Sequence, residues 1–298
     1  MVRRLLNSGE NPYGRPSGFL ERGHGYVNHA FRSRTPAIAI VVDIKQLQKN
    51  FESLASEDPL WTVLSDNSKR GGQWDVEDFY ATGEPVIADL GKRLELAGLS
   101  FQGKTAIDFG CGVGRLTFPL GKRFAQCYGI DISQSMIDYA RSEIHRGPNC
   151  QFIINTSDRL ESFKGNSIDF VYTAIVLQHI APRYIYSYLR EFSRVLRQGG
   201  LLAFQLPSHL NKQASANQKP LRMLQKRTFY RAKSLKQKIS RWLPFISSDS
   251  YFEMNAIPRK KIIDFLESQC QLKAIDAQDF PAAGDNWISY LYLARKRR

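Results

Sequence analysis

The sequence has no apolar run long enough to cross a membrane. A spanning helix needs roughly 20 consecutive apolar residues, and the longest early run, Ala37 to Val42, falls far short of that. Cysteine is scarce. Cys111, Cys127, Cys150 and Cys270 form no Cys-x-x-Cys pair and match no zinc spacing, which excludes a disulfide scaffold and a zinc framework and suits reduced thiols in a cytoplasmic protein. Met1–Leu6 lacks the apolar core of a secretory signal, and the acids Glu10 and Glu21 interrupt a segment that would otherwise suit a transit peptide. No collagen repeat or sustained heptad is present.

What is present suits a folded body of enzyme size. The 298 residues are 43% hydrophobic and 12% aromatic, richer in core formers than a disordered chain. The formal charge is +14, from 42 Lys+Arg against 28 Asp+Glu. It is unevenly spread. Residues 1–34 hold six Arg and two Glu, residues 222–243 hold eight Lys/Arg and no acid, and the tail Arg295–Arg298 is wholly basic. The remainder is close to neutral, whereas a protein built to grip duplex nucleic acid would more often carry its basic face on the folded body.

The pattern predicts five segments. Residues 1–36 read as a basic arm, and 37–100 as a helical extension. In the extension, Ile44, Leu47, Phe51 and Leu54 share one helical face, Asp58-Pro59 breaks the chain, and Glu84-Pro85 opens a helix that Gly98 ends. Residues 101–207 alternate strands with helices. Strands are expected at 105–109, 127–131, 151–155, 168–173 and 201–206. The intervening helices are marked by Leu116, Leu120 and Phe124, by Met136, Ile137, Ala140 and Ile144, and by Ile185, Leu189, Phe192 and Leu196. Such alternation predicts an α/β fold with a mostly parallel sheet covered on both faces. Residues 208–257 break it, and read as a basic helical insertion, a lid or an acceptor-binding element. Residues 258–298 supply one more helix and two strands that suit an antiparallel hairpin at the sheet edge.

The stretch Ile107-Asp108-Phe109-Gly110-Cys111-Gly112-Val113-Gly114-Arg115 carries most of the chemistry. Its glycines permit a sharp turn and a close backbone approach to a ligand. The turn leads into a helix N-terminus, as in nucleotide-binding folds. A dinucleotide fingerprint would require Gly at 115, where Arg stands. Asp108 would repel a pyrophosphate but favour a ligand bearing an ammonium group, and S-adenosylmethionine has an ammonium, a sulfonium and no phosphate. Asp131, at the end of the second strand, is placed to accept hydrogen bonds from ribose hydroxyls.

These residues resemble motif I of the class I S-adenosylmethionine-dependent methyltransferases. Gly129–Ser133, Ser157–Leu160, Ser167–Thr173, Val176–Ile180 and Arg194–Gly200 resemble further elements of that family in order, with Gln198 where the last usually carries Pro. Trp74–Glu84 resembles the segment preceding motif I in an uncharacterised bacterial branch. The resemblance implies a Rossmann-like seven-stranded sheet and S-adenosylmethionine as cofactor, with no metal. It implies a cofactor site of Asp108, Gly110, Cys111, Gly112, Gly114, Asp131, Ile132, Ser157, Asp158 and Thr173, with Tyr80, Thr82 and Gly83 near the methionine end. The alternative for Trp74, Phe79 and Tyr80 is simple packing of the added helices.

In-line methyl transfer requires alignment of the acceptor and exclusion of water. A hydroxyl acceptor also needs a base, whereas a carboxylate does not. His179, after the fourth strand, is the candidate base; its alternative is a loop-packing role. His145 and His209 are weaker candidates, and Cys111 reads as a small turn residue. The expected acceptor is a small molecule or glycan, methylated at oxygen, or a lipid-linked molecule, with peripheral membrane contact through 222–243. An RNA methyltransferase and a non-catalytic cofactor-binding subunit are the alternatives. The fourth-strand loop lacks the Asn/Asp-Pro-Pro-Tyr sequence that positions base amines.

Overall fold

The computed structural model describes residues 10–11, 15–16, 43–211 and 254–298. Apart from a short pairing of Glu10–Asn11 with Arg15–Pro16, the described strands form one sheet. They are β1 (Gly103–Phe109), β2 (Phe124–Asp131), β3 (Cys150–Ile154), β4 (Ile168–Thr173), β5 (Leu196–Leu210), β6 (Leu272–Asp279) and β7 (Trp287–Lys296). Their order is β3-β2-β1-β4-β5-β7-β6. Strands β1 to β5 run parallel, and β7 lies antiparallel between β5 and β6. The order reverses between β1 and β4, and in open α/β sheets ligands bind at the carboxyl ends of the strands beside such a point.

Alternate side chains of the inner strands feed two cores. Ala106, Phe170, Leu201, Ala203, Leu291 and Leu293 face one, and Ile107, Val171, Leu202, Phe204, Tyr292 and Ala294 the other. Burial on both faces explains why these strands read as nearly unbroken apolar runs. The first core is closed by α3 (Val76–Ala81), α4 (Gly83–Leu96), α5 (Thr117–Gly121) and α6 (Gln134–Ser142). The second is closed by α7 (Pro182–Val195) and α8 (Arg259–Gln269).

The N-terminal extension forms α1 (Ile44–Glu57) and α2 (Pro59–Val63). Asp43 and Asp58 cap them. Asp58 also accepts from the N–H groups of Gly71 and Gly72, which fastens that loop to the start of α2. Gly98, at φ 69°, ends α4 as the sequence suggested.

Several expectations need correction. Phe124 is the first residue of β2, not the last of a helical stripe, because α5 stops at Gly121. Ile144 lies beyond α6 and is 39% exposed. Leu196 begins β5, which runs nine residues further overall than expected, through Gly199 at φ 75° and a register shift near Pro207. The arm 1–36 and the basic segment 222–243 lie outside the described residues, save for the short N-terminal pairing. The final hairpin is antiparallel, as the pattern predicted.

Candidate active site

The glycine turn leaves β1 at the switch point. Gly110, Gly112 and Gly114 all hold positive φ, which an L side chain rarely adopts. Gly112 is constrained twice over, since a Cβ there would fall 2.5 Å from Val63 Cγ2. Helix α2 therefore lies directly on the turn, a contact that the sequence did not reveal.

Asp131 joins the turn to β2. Its Oδ2 accepts from Gly112 N–H at 2.8 Å and its Oδ1 from Ser133 N–H at 2.9 Å. Burial nevertheless holds the carboxyl above its ordinary range, against the pull of the Ser133, Gly112 and Ile132 N–H groups. Each carboxylate oxygen has a second acceptor position, so the group can take hydroxyl donors while still holding Gly112. Ile132 follows it and is part-buried.

Asp108 is 3% exposed and accepts from Thr117 Oγ1 at 2.7 Å. Burial pushes its pKa up to about 6, opposed by the Thr117 hydrogen bond and the Arg115 charge. Arg115 is itself buried and donates to Thr82 O and Oγ1 at 3.3 and 3.2 Å. Tyr80 donates its hydroxyl to Val113 O at 2.9 Å, with the Arg146 guanidinium 4.3 Å from its ring centre. A Cβ on Gly83 would meet Arg115 O at 2.1 Å. The segment Tyr80–Gly83 thus braces Val113–Arg115, and it also packs the added helices through Trp74 and Phe79. Cys111 is buried, and its thiol is pushed well above its ordinary pKa by burial and by Asp131 and Asp108. A thiol kept protonated in this way is a turn residue, not a nucleophile.

The loop after β3 is tied to α7. Tyr188 donates to Ser157 O at 2.8 Å, Ser187 to Asp158 O at 3.3 Å, and the Ser157 hydroxyl donates to Arg159 O. Among the described residues, neither Ser157 nor Asp158 is hydrogen-bonded to the glycine turn. Thr173 ends β4 fully buried, and its Oγ1 has no hydrogen-bond partner among the described residues. A buried orphan hydroxyl is uncommon, and it fits a site that receives a polar ligand.

His179 sits in the loop after β4 with its ring 6.3 Å from that of Phe51 on α1. The same loop touches the glycine turn, where a Cβ on Gly110 would lie 2.3 Å from Val176 Cγ2. His145, by contrast, lies on the surface beside Glu143, and His209 pairs with Ser208 on β5. Sequence reasoning missed two groups. Glu52 of α1 accepts from the Ser133 hydroxyl at 2.7 Å and from Ser135 N–H. Gln205 and Gln178 form a buried pair behind His179. Glu52 gave no signal, but Gln205 is the polar residue in the apolar run 201–206, and an isolated buried amide requires a partner. Among the described residues, no cluster of His, Cys, Asp and Glu is suited to a metal ion, and no helix is long and apolar enough to cross a membrane.

A family model described as a methyltransferase domain matches residues 107–204, from β1 to β5. The magnesium protoporphyrin IX methyltransferase of Synechocystis, solved with bound S-adenosylhomocysteine, superposes with a TM-score of 0.54 at 17% identity over 85% of this chain and all of that one. Residues 107–204 are a methyltransferase domain by the family match, and the chain has the fold of the class I S-adenosylmethionine-dependent methyltransferases. A second member of this fold, the 1,6-didemethyltoxoflavin-N1-methyltransferase of Burkholderia thailandensis, superposes with a TM-score of 0.55 at 16% identity over 92% of this chain and 99% of its own.

Curated relatives methylate different atoms. A ubiquinone biosynthesis O-methyltransferase of Ruegeria pomeroyi is 28% identical over 56% of this chain and 61% of its own. A tRNA N(3)-cytidine methyltransferase of Mus musculus is 29% identical over 40% of this chain and 33% of its own. The bifunctional biotin biosynthesis protein BioHC of Cellvibrio japonicus is 31% identical over 32% of this chain and 18% of its own. The matches to these three relatives thus span less than two thirds of each relative's length.

Proposed function

We propose that this chain transfers a methyl group from S-adenosylmethionine to an oxygen of a small-molecule acceptor, bound where the loop after β4 meets the glycine turn. The observation that carries this reading is the union of the turn with Asp131 through the Gly112 N–H, at the point where the strand order reverses. In this reading Gly110, Cys111, Gly112 and Gly114 present backbone to the cofactor, and Asp131 and Ile132 hold its adenosine end. Ser157 and Asp158 border the base. Asp108 faces the cationic amino-acid end through the turn, braced by Tyr80 and Gly83, and Thr173 lends its unpartnered hydroxyl. When bound, S-adenosylmethionine supplies a methyl group already activated by a cationic sulfur.

What the protein adds is alignment and shelter. Helix α2 lies against the turn through Val63 and shields it from water. His179 and the loop around it stand at the acceptor side. A lipid-linked or glycan acceptor, with residues 222–243 as the contact to an anionic surface, belongs to the same proposal.

The test is to incubate the full chain with S-adenosylmethionine bearing a labelled methyl group and a panel of carboxylate, phenol and amine acceptors, with transfer RNA as a separate arm. Label in a small product supports the reading. Label in transfer RNA alone would replace it with the RNA reading, and cofactor binding with no product in any arm would favour a non-catalytic subunit.

A further inference from the structure

Gln205 lies fully buried in β5 and makes three hydrogen bonds. Its Oε1 accepts from Ile175 N–H at 2.8 Å, and its Nε2 donates to Ser289 Oγ at 2.7 Å and to Gln178 Oε1 at 3.1 Å. Gln178, also buried, turns its own Nε2 towards His179 Nε2 at 3.1 Å. Ile175, the fixed end of this chain of bonds, has φ 63°, a left-handed backbone that β-branched residues avoid.

The polarity of the chain follows from that end. A backbone N–H can only donate, so it sets which end of the Gln205 amide faces Ile175. That orientation presents the NH2 group to Gln178, and the second amide must follow in the same sense. Gln178 Nε2 therefore brings hydrogen to the imidazole, and the nitrogen it meets has to offer a lone pair. A proton on His179 Nε2 would set donor against donor.

We infer that the Gln205–Gln178 relay fixes His179 as the neutral tautomer protonated at Nδ1, so that His179 serves methyl transfer as a hydrogen-bond donor and not as the base. Gln178 and Gln205 are positioning residues, acting through His179. The tautomer stands on the hydrogen bonds alone, whereas its use rests on the function proposed above. A neutral donor suits an acceptor that presents an anionic or carbonyl oxygen and needs no deprotonation, a carboxylate foremost.

The experiment is long-range proton–nitrogen NMR of the full chain labelled with 15N-histidine, with the His179 signals assigned by their loss in His179→Gln. The wild type should show a protonated Nδ1 and an unprotonated Nε2. Gln178→Glu still accepts from Gln205 but now offers an acceptor to the ring, and it should invert the pattern. A wild-type ring protonated at Nε2, or a pattern unchanged in Gln178→Glu, would overturn the relay; the wild-type spectrum decides alone if that variant does not fold.

Kinetics separate the relay from its use. His179→Asn, whose amide N–H takes the place of Nδ1–H, should turn over within about tenfold of the wild type. His179→Leu should fall about a hundredfold or more, as for loss of one donor to a reacting oxygen. Equal loss in both variants, with the tautomer as expected, would remove the donor role. Absence of any turnover in the wild type would count against the proposed function and leave the tautomer intact.

Discussion

Gly83 and Asp108 show how single residues shape the site from opposite sides of the glycine turn. With Arg115 O only 2.1 Å from where a Cβ would stand, Gly83→Ala must push α4 away from the turn. Overpacking of this kind typically destabilises by about 1–3 kcal/mol, so a lower melting temperature and weaker cofactor binding are expected together in thermal denaturation with and without S-adenosylhomocysteine. For Asp108 the pKa is raised by burial to about 6. A raised carboxyl contributes stability that is full below its unfolded pKa and is lost as pH rises through the folded one. Asp108→Asn should therefore make the ligand-free protein more stable than wild type above about pH 6, by up to about 3 kcal/mol, with the advantage gone near pH 4. The same variant should bind the cationic cofactor more weakly, and denaturant titrations across pH with parallel calorimetry check both. The glycines and Asp108 were legible because their residue types are unusual where they stand. Glu52 was not, since an acid on a polar helix face looks the same whether it meets water or a neighbouring helix.

Among the elements, α1 is the one whose placement the sequence left open. Its amphipathic spacing marked a helix, but periodicity says which face is apolar and not where that face docks. The structure sets α1 against α6, where Glu52 receives hydrogen bonds from Ser133 and Ser135 at the first turn of that helix. Burial tends to raise the Glu52 pKa, but the bonds from Ser135 and Ser133 outweigh it and hold it below its ordinary value. Its contribution is thus present above its unfolded pKa and lost as pH falls. Glu52→Ala should destabilise by about 1–3 kcal/mol and expose the α1–α2 segment to limited proteolysis at neutral pH, before the sheet itself is cleaved. Element boundaries failed for related reasons. Phe124 and Leu196 continue helical spacing by coincidence, and each is claimed by the strand that follows because sheet pairing satisfies its backbone.

At the scale of the molecule, strand order was readable only through the family resemblance, because neighbours in a sheet are set by crossover connections that leave no local mark. The alternation of strands and helices gave the class of fold, and the ordered motifs gave its kind. The basic segment 222–243 contributes to the net charge of +14 and lies outside the described residues, so the acceptor it would serve is addressed by experiment. The central claim is that the turn joined to Asp131 is an adenosine site. Calorimetric titration of the full chain with S-adenosylhomocysteine, set beside Asp131→Ala and beside NAD, tests it most directly. One site for S-adenosylhomocysteine is expected, weaker by about 1–3 kcal/mol in the variant, with no heat from NAD. Equal affinity in Asp131→Ala, or uptake of NAD with none of S-adenosylhomocysteine, would contradict it.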